Sequence, residues 1–184
     1  NTHPYVEKAY PGAKKAVAKF IDEITPYETV KTYDNGGQIR IFKEIDRKAS
    51  DYKPIYNICN QFAKEGKICE ITPRIHYKDE RYKEVYGSLI GTKYERKCPD
   101  FRVDGVFYEF ESFVPPFNKR KISHMLNKGS KQSDKIVINN NKGCTDRYIH
   151  RNIQNRLTDK SFKNEINEVW LYEKGQARIV YKKQ

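Results

Sequence analysis

The sequence predicts an α+β fold, a single domain with a mixed, largely antiparallel central sheet flanked by helices. Three observations lead there. Runs with an apolar residue at every third or fourth position alternate with short runs rich in β-branched and aromatic residues. Two pairs of the short runs are joined by Asp104-Gly105 and Lys174-Gly175, which mark hairpins and so antiparallel strands. Other short runs stand alone between helices, which makes the sheet mixed.

Along the chain, Val6, Ala9, Ala13, Ala16, Val17, Phe20 and Ile21 fit a helical stripe from Tyr5 to Ile21. Asp34-Asn35-Gly36-Gly37 reads as a turn between two extended runs. Residues 1–45 are thus expected to form an N-terminal helix and hairpin extension, and 46–184 the main α+β domain. A helix over Tyr52 to Lys64 carries Ile55, Ile58, Cys59 and Phe62 on one side, with Gly66 placed to end it. Ile68 to Thr72 reads as a strand stopped by Pro73. Tyr82, Val85, Tyr86 and Leu89 give Asp79 to Leu89 a helical register. After the hairpin at Cys98 to Phe113, a helix is expected from Asn118 to about Lys128 and a strand from Lys135 to Asn139. A helix capped by Thr145 or Asp146 then runs to Leu157. Glu168 to Tyr172 and Ala177 to Tyr181 close the chain as a hairpin.

At 184 residues, a domain buries roughly 70% of the surface its unfolded chain exposes, so no disulfide is needed to stabilise the core. The apolar fraction is only 37%, and 14 Tyr and 9 Phe make up core volume. The formal charge of +12 points to a polyanionic partner, nucleic acid first. No run approaches 18 apolar residues, so no membrane-inserted helix is expected, and the first residues lack the pattern of a signal peptide. The four cysteines, Cys59, Cys69, Cys98 and Cys144, form no zinc-ligand spacing. They suit a reducing compartment, so the chain is expected in the cytoplasm or delivered into one.

The hairpin carries the chemistry. A two-residue turn at Asp104-Gly105 sets Val103 opposite Val106, Phe101 opposite Tyr108 and Pro99 opposite Phe110 as one apolar face. The other face sets Arg102 opposite Phe107, Asp100 opposite Glu109 and Cys98 opposite Glu111. Three carboxylates then share one patch, with Asp100 and Glu109 Cβ atoms roughly 4.5–5.5 Å apart. Like charges at that range destabilise a sheet unless a cation, a shared proton or nearby bases offset them. The following helix buries Ile122, Met125, Leu126 and Gly129, and sets Lys121, His124, Lys128 and Lys131 on another face, a row suited to successive phosphates. His124 is the candidate proton carrier there, with His76 and His150 as alternatives that lack an obvious constellation. Arg120, Gln132, Arg147 and Arg151 complete the candidate nucleic-acid contacts, and Tyr148 and Tyr172 are candidate stacking residues.

Pro99-Asp100 followed by Glu109-Phe110-Glu111 resembles the PD-(D/E)xK nuclease signature, with Glu111 where that signature has Lys and Gln132 resembling a glutamine of some members. This resemblance implies Mg²⁺ held by Asp100, Glu109 and Glu111. A longer pattern from Tyr52 to Lys183 resembles the barnase/EndoU/colicin/RelE-like nucleases. It includes Pro-Asp-Phe-x-x-Asp-Gly-x-x-x-Glu at Pro99 to Glu109 and Lys-Gln-Ser-Asp-Lys-Ile-Val-Ile at Lys131 to Ile138. It is most similar to tRNase domains of contact-dependent inhibition toxins and to phage and mobile-element domains of gut Bacteroidetes. That resemblance implies RNA cleavage without a cofactor, RNA as the favoured partner and an acidic immunity or antitoxin protein. Glu109-Phe110-Glu111-Ser112 replaces the Glu-x-Lys that many such domains show.

The expected function is an endoribonuclease acting on a tRNA-type substrate, of toxin or mobile-element origin, with a Mg²⁺-dependent DNA nuclease as the alternative. A metal nuclease uses the acids as hard oxygen ligands. A metal-free endoribonuclease uses Glu109 or Glu111 as base, His124 as acid, and Lys121, Lys131 or Arg120 to hold the phosphate. A non-catalytic binding module on a degenerate nuclease fold is the third expectation.

Overall fold

The computed structural model describes residues 19, 22, 23 and 25–184; Lys19 apart, the helix expected from Tyr5 to Ile21 lies outside them. The described elements are β1 (Tyr27–Thr32), β2 (Gln38–Phe42), α1 (Tyr52–Lys64), β3 (Ile68–Ile71), α2 (Glu80–Tyr86), β4 (Phe101–Val103), β5 (Val106–Glu111), α3 (Lys121–Gly129), β6 (Lys135–Asn139), α4 (Asp146–Thr158), β7 (Glu168–Glu173) and β8 (Gln176–Lys182). A short 3₁₀ turn, Gly87–Leu89, extends α2.

The strands form one eight-stranded sheet in sequential order. β2–β3, β5–β6 and β6–β7 are parallel; the other neighbours are antiparallel. The fold is therefore the expected α+β domain with a mixed, mostly antiparallel sheet and flanking helices. β2 runs beside β3, which makes residues 27–42 part of the central sheet.

Local chemistry explains the element ends. α1 buries Ile55, Ile58, Cys59, Phe62 and Ala63, an i, i+3, i+4, i+7, i+8 stripe. Each large apolar side chain so buried contributes about 1.5–3 kcal/mol. Gly66, at φ 89°, ends the helix by returning its N–H to Ala63 O. Gly37 passes so close to that turn that a Cβ on it would lie 1.7 Å from Ala63 O. Asp79 Oδ1 caps α2 through Arg81 N (3.0 Å), and Thr145 Oγ1 caps α4 through Tyr148 N (3.2 Å).

Helices cover both sides of the sheet. On one face, α1 packs on Ile39, Ile41, Phe101, Tyr108, Phe110 and Val137. On the other, alternating strand positions divide between two clusters. Tyr27, Phe42 and Phe107 pack with Tyr82, Val85 and Tyr86 of α2. Ile136, Ile138, Val169 and Leu171 pack with α3 and α4. Along β5, Phe107, Glu109 and Glu111 alternate with the α1-facing Tyr108 and Phe110. Phe107 lies under the α2 cluster, and Glu109 and Glu111 come where one helical cover ends and the next begins. No helix among the described residues is long and apolar enough to cross a membrane.

Candidate active site

The hairpin register is the one read from the sequence: Phe101 pairs with Tyr108, Arg102 with Phe107 and Val103 with Val106. Asp104 (φ 47°) and Gly105 (φ 83°) form the tight turn. The Asp104 carboxylate also accepts from Ile68 N (2.8 Å), which ties the turn to β3.

Asp100 departs from the expected direct pairing with Glu109. The ladder stops at Phe101 because Asp100 N–H also donates to Tyr108 O (3.0 Å), the partner of Phe101, so that two residues stand against one, while Asp100 O accepts from Thr72 N (3.1 Å) just beyond β3. The Asp100 carboxylate instead accepts from Phe110 N (2.8 Å). The backbone bend keeps Asp100 with the other acids. Asp100, Glu109 and Glu111 all line one cleft of about 600 Å³, together with Asp51, Arg74, Ile75, His76, Arg96, Lys97, Cys98, Phe110, Ser112, Lys128 and Gln132. A second, more apolar pocket of about 440 Å³, walled by Ile45, Tyr52, Ile55 and Ile71, shares Asp51, Arg74 and Asp100 with it.

The acids are short of compensation. Glu109 and Glu111 are buried, and Glu109 Oε2 has no hydrogen-bond partner. Desolvation, followed by the charges of Asp100 and Glu111, pushes the Glu109 carboxyl far above the ordinary carboxylate range. Desolvation raises Glu111 to about 7, and the nearby Lys128 ammonium pulls the other way. Asp100 is raised to about 6 by desolvation, against the pull of the Phe110 N–H. Lys128 Nζ stands 3.9 Å from Glu111 Oε2 on a largely exposed side chain. Gly129 makes room for Glu111: a Cβ there would meet Glu111 Cγ at 3.0 Å and Ile136 Cγ2 at 3.1 Å.

Among the described residues, no three His, Cys, Asp or Glu side chains converge as a ready metal site. The acids line the cleft side by side, with Asp100 turned to a backbone N–H and Glu111 towards Lys128. The donor set nevertheless fits a hard divalent cation. All the donors would be carboxylate oxygens held away from water, and Glu109 Oε2 has no hydrogen-bond partner.

The candidate phosphate contacts separate. Lys128 and Gln132 reach the acid cleft. Lys121 and His124 lie beside it, lining a small cavity with Glu111 and Lys128. Lys131 falls past the end of α3 and lines a different hollow with Lys93, Lys163 and Glu165. Arg120, Arg147 and Arg151 are exposed and line none of these cavities. Tyr172 is buried, with its hydroxyl accepting from Asn57 Nδ2 (2.9 Å), so its ring is not free to stack. Tyr148 is half-buried and donates to Lys119 O (2.8 Å). Asp51, Arg74 and Arg96 have no sequence signal for the site, and His76 stands out in the sequence by residue type alone. Asp51 reads as an ordinary helix cap, yet it makes no side-chain cap bond.

The contact-dependent growth inhibition CdiA C-terminal domain family matches residues 97–177 of the chain. The match includes Asp100, Glu109, Glu111, Lys128 and Gln132 and stops short of Asp51, Arg74 and His76. No curated protein and no solved structure matches the chain.

Proposed function

We propose that this chain is a nucleic-acid-cleaving toxin-type domain, an endonuclease whose centre is Asp100, Glu109 and Glu111 and which works with a divalent cation. The observation that carries the reading is the group of desolvated carboxylates in one cleft, with Glu109 Oε2 unpartnered, beside Arg74, Arg96, Lys97 and Lys128. The net charge of +12 favours a polyanionic substrate, and the similarity to a toxin domain covers all three acids.

Asp100 and Glu109 would hold the cation, with Asp100 oriented by Phe110 N–H. When bound, such a cation polarises the phosphate and makes attacking water more acidic. Glu111 stands next to that pair, and its carboxyl, raised to about 7, can take a proton from the attacking water near neutral pH. Lys128 and Arg74 supply positive charge for the phosphate oxygens, and Gln132 offers an amide at the same wall.

A cofactor-free RNA cleavage rests on a different observation: Glu111, Lys121, His124 and Lys128 share one small cavity, giving a base, an acid and two cations. Incubation of the chain with tRNA and with plasmid DNA, each in Mg²⁺ or EDTA, separates the readings. Mg²⁺-dependent cleavage lost on the order of 10³-fold in Glu109→Gln supports the metal reading. RNA cleavage that persists in EDTA and disappears in His124→Ala supports the other. Intact RNA and DNA under every condition would remove catalysis from this site.

A further inference from the structure

The rim of the cleft carries an aromatic and cationic cluster that the acid chemistry does not use. Tyr77 is 40% exposed, although it is one of the larger rings in the chain. The His76 ring centroid lies 4.6 Å from that of Tyr77, and Arg96 Cζ lies 4.5 Å from it. Lys78 Nζ is 6.0 Å away. His76 and Arg96 also line the acid cleft, so the cluster borders the place where a phosphate would enter.

Arg96 is held there at a backbone cost. Its φ is 69°, a left-handed value that a β-carbon disfavours by roughly 1–2 kcal/mol. The other non-glycine residues with positive φ among the described ones, Asp104 and Lys174, each precede a glycine in a hairpin turn. Arg96 belongs to no hairpin, and what its conformation accompanies is a guanidinium over an exposed ring. Such a group offers a π surface and positive charge together. That combination matches an unpaired nucleobase with its phosphate. A duplex keeps its base faces stacked inside and has nothing to lay against Tyr77.

We propose that Tyr77, backed by Arg96, stacks an unpaired base of the strand whose phosphate enters the acid cleft, so that the domain prefers single-stranded segments. This rests on the nucleic-acid-cleaving reading and adds the form of the substrate. Fluorescence anisotropy of a labelled oligonucleotide, single-stranded or annealed to its complement, tests it in EDTA on the Glu109→Gln background. Tyr77→Ala is expected to weaken single-strand binding by about tenfold or more and duplex binding by less than about twofold. Tyr77→Phe should bind like the parent. Tyr77→Leu, which keeps bulk without a π face, should behave like the alanine variant and serves if alanine disturbs the loop. Unchanged single-strand affinity in Tyr77→Ala, or equal losses on both forms, would overturn the stacking role. Cleavage by the parent chain is read separately: a chain that cleaves but ignores the Tyr77 changes refutes the stacking alone, whereas a chain that neither binds nor cleaves refutes the underlying function.

Discussion

Two polar groups lie on the same face of the sheet, one position apart along the same hairpin, and they are built in opposite ways. Arg102 is paired with Glu70 across β3 and β4 through a double contact, Nε to Oε1 at 3.1 Å and Nη2 to Oε2 at 2.7 Å. Its remaining nitrogen, Nη1, donates to Val85 O at 3.0 Å, and its guanidinium lies 5.2 Å from the Phe107 ring centroid. Charge, donors and stacking surface are all matched. Asp100, Glu109 and Glu111, beside it, gather like charges with one lysine at 3.9 Å and one orphaned oxygen. The first arrangement satisfies itself within the fold. The second is incomplete without a proton or a cation, and that difference marks it as the functional end of the hairpin.

The acid group should show itself as a pH dependence of the opposite sign to ordinary carboxylate pairing. A carboxyl raised by folding contributes stability that is complete below its unfolded pKa and is lost as pH rises through the folded one. The window runs from near 4 through about 6 for Asp100 and about 7 for Glu111. Without divalent cations, these two carboxyls should therefore lower the unfolding free energy by roughly 4 kcal/mol between pH 5 and pH 8. A flat or rising profile contradicts the desolvated cluster.

The contrast can be broken by removing one partner of the satisfied pair. Glu70→Ala should cost about 1–3 kcal/mol in denaturant unfolding, because it leaves the half-buried Arg102 guanidinium without its carboxylate. A loss under about 1 kcal/mol would mean that solvent already serves this arginine.

Glu109→Gln, the change expected to abolish cleavage, should stabilise the fold by about 1–2 kcal/mol at pH 8, since folding no longer has to protonate a carboxyl that is ionised in the unfolded chain. Chemical unfolding at pH 8 measures this, and a destabilised variant would place Glu109 among the structural residues. The smallest effect is expected for Gly129→Ala. Helix propensity favours alanine by up to about 1 kcal/mol, but the new methyl meets Glu111 Cγ at 3.0 Å. Stability should stay within about 1 kcal/mol of the parent while cleavage falls, and full activity would show that Glu111 can shift freely.

Much of this contrast was legible in the sequence. Asp104-Gly105 fixes the register, so the alternation of acids with Tyr108 and Phe110 follows directly. Asp100 was harder to place, because its N–H shares Tyr108 O with the Phe101 pair, an irregularity that the turn at Asp104-Gly105 does not announce. The basic row on α3 also divides. The helix ends at Gly129, so Lys131 leaves the face that Lys121 and Lys128 share. Asp51, Arg74 and Arg96 were invisible, because they come from a helix start and two loops with no common spacing, and His76 stood out only as a histidine. On the same face as the acids, α2 covers Phe107 and Arg102, a cover that the residues of the hairpin do not announce.

The most direct test is calorimetric titration of Mn²⁺ into the chain at pH 8, in two buffers of different ionisation enthalpy. A cation entering beside Glu109 must displace a proton that this carboxyl still holds at pH 8. The account predicts binding by the parent with buffer-dependent heat, and its loss in Glu109→Gln. Identical isotherms for parent and variant, or no binding by a parent chain that cleaves nucleic acid in EDTA, would contradict it.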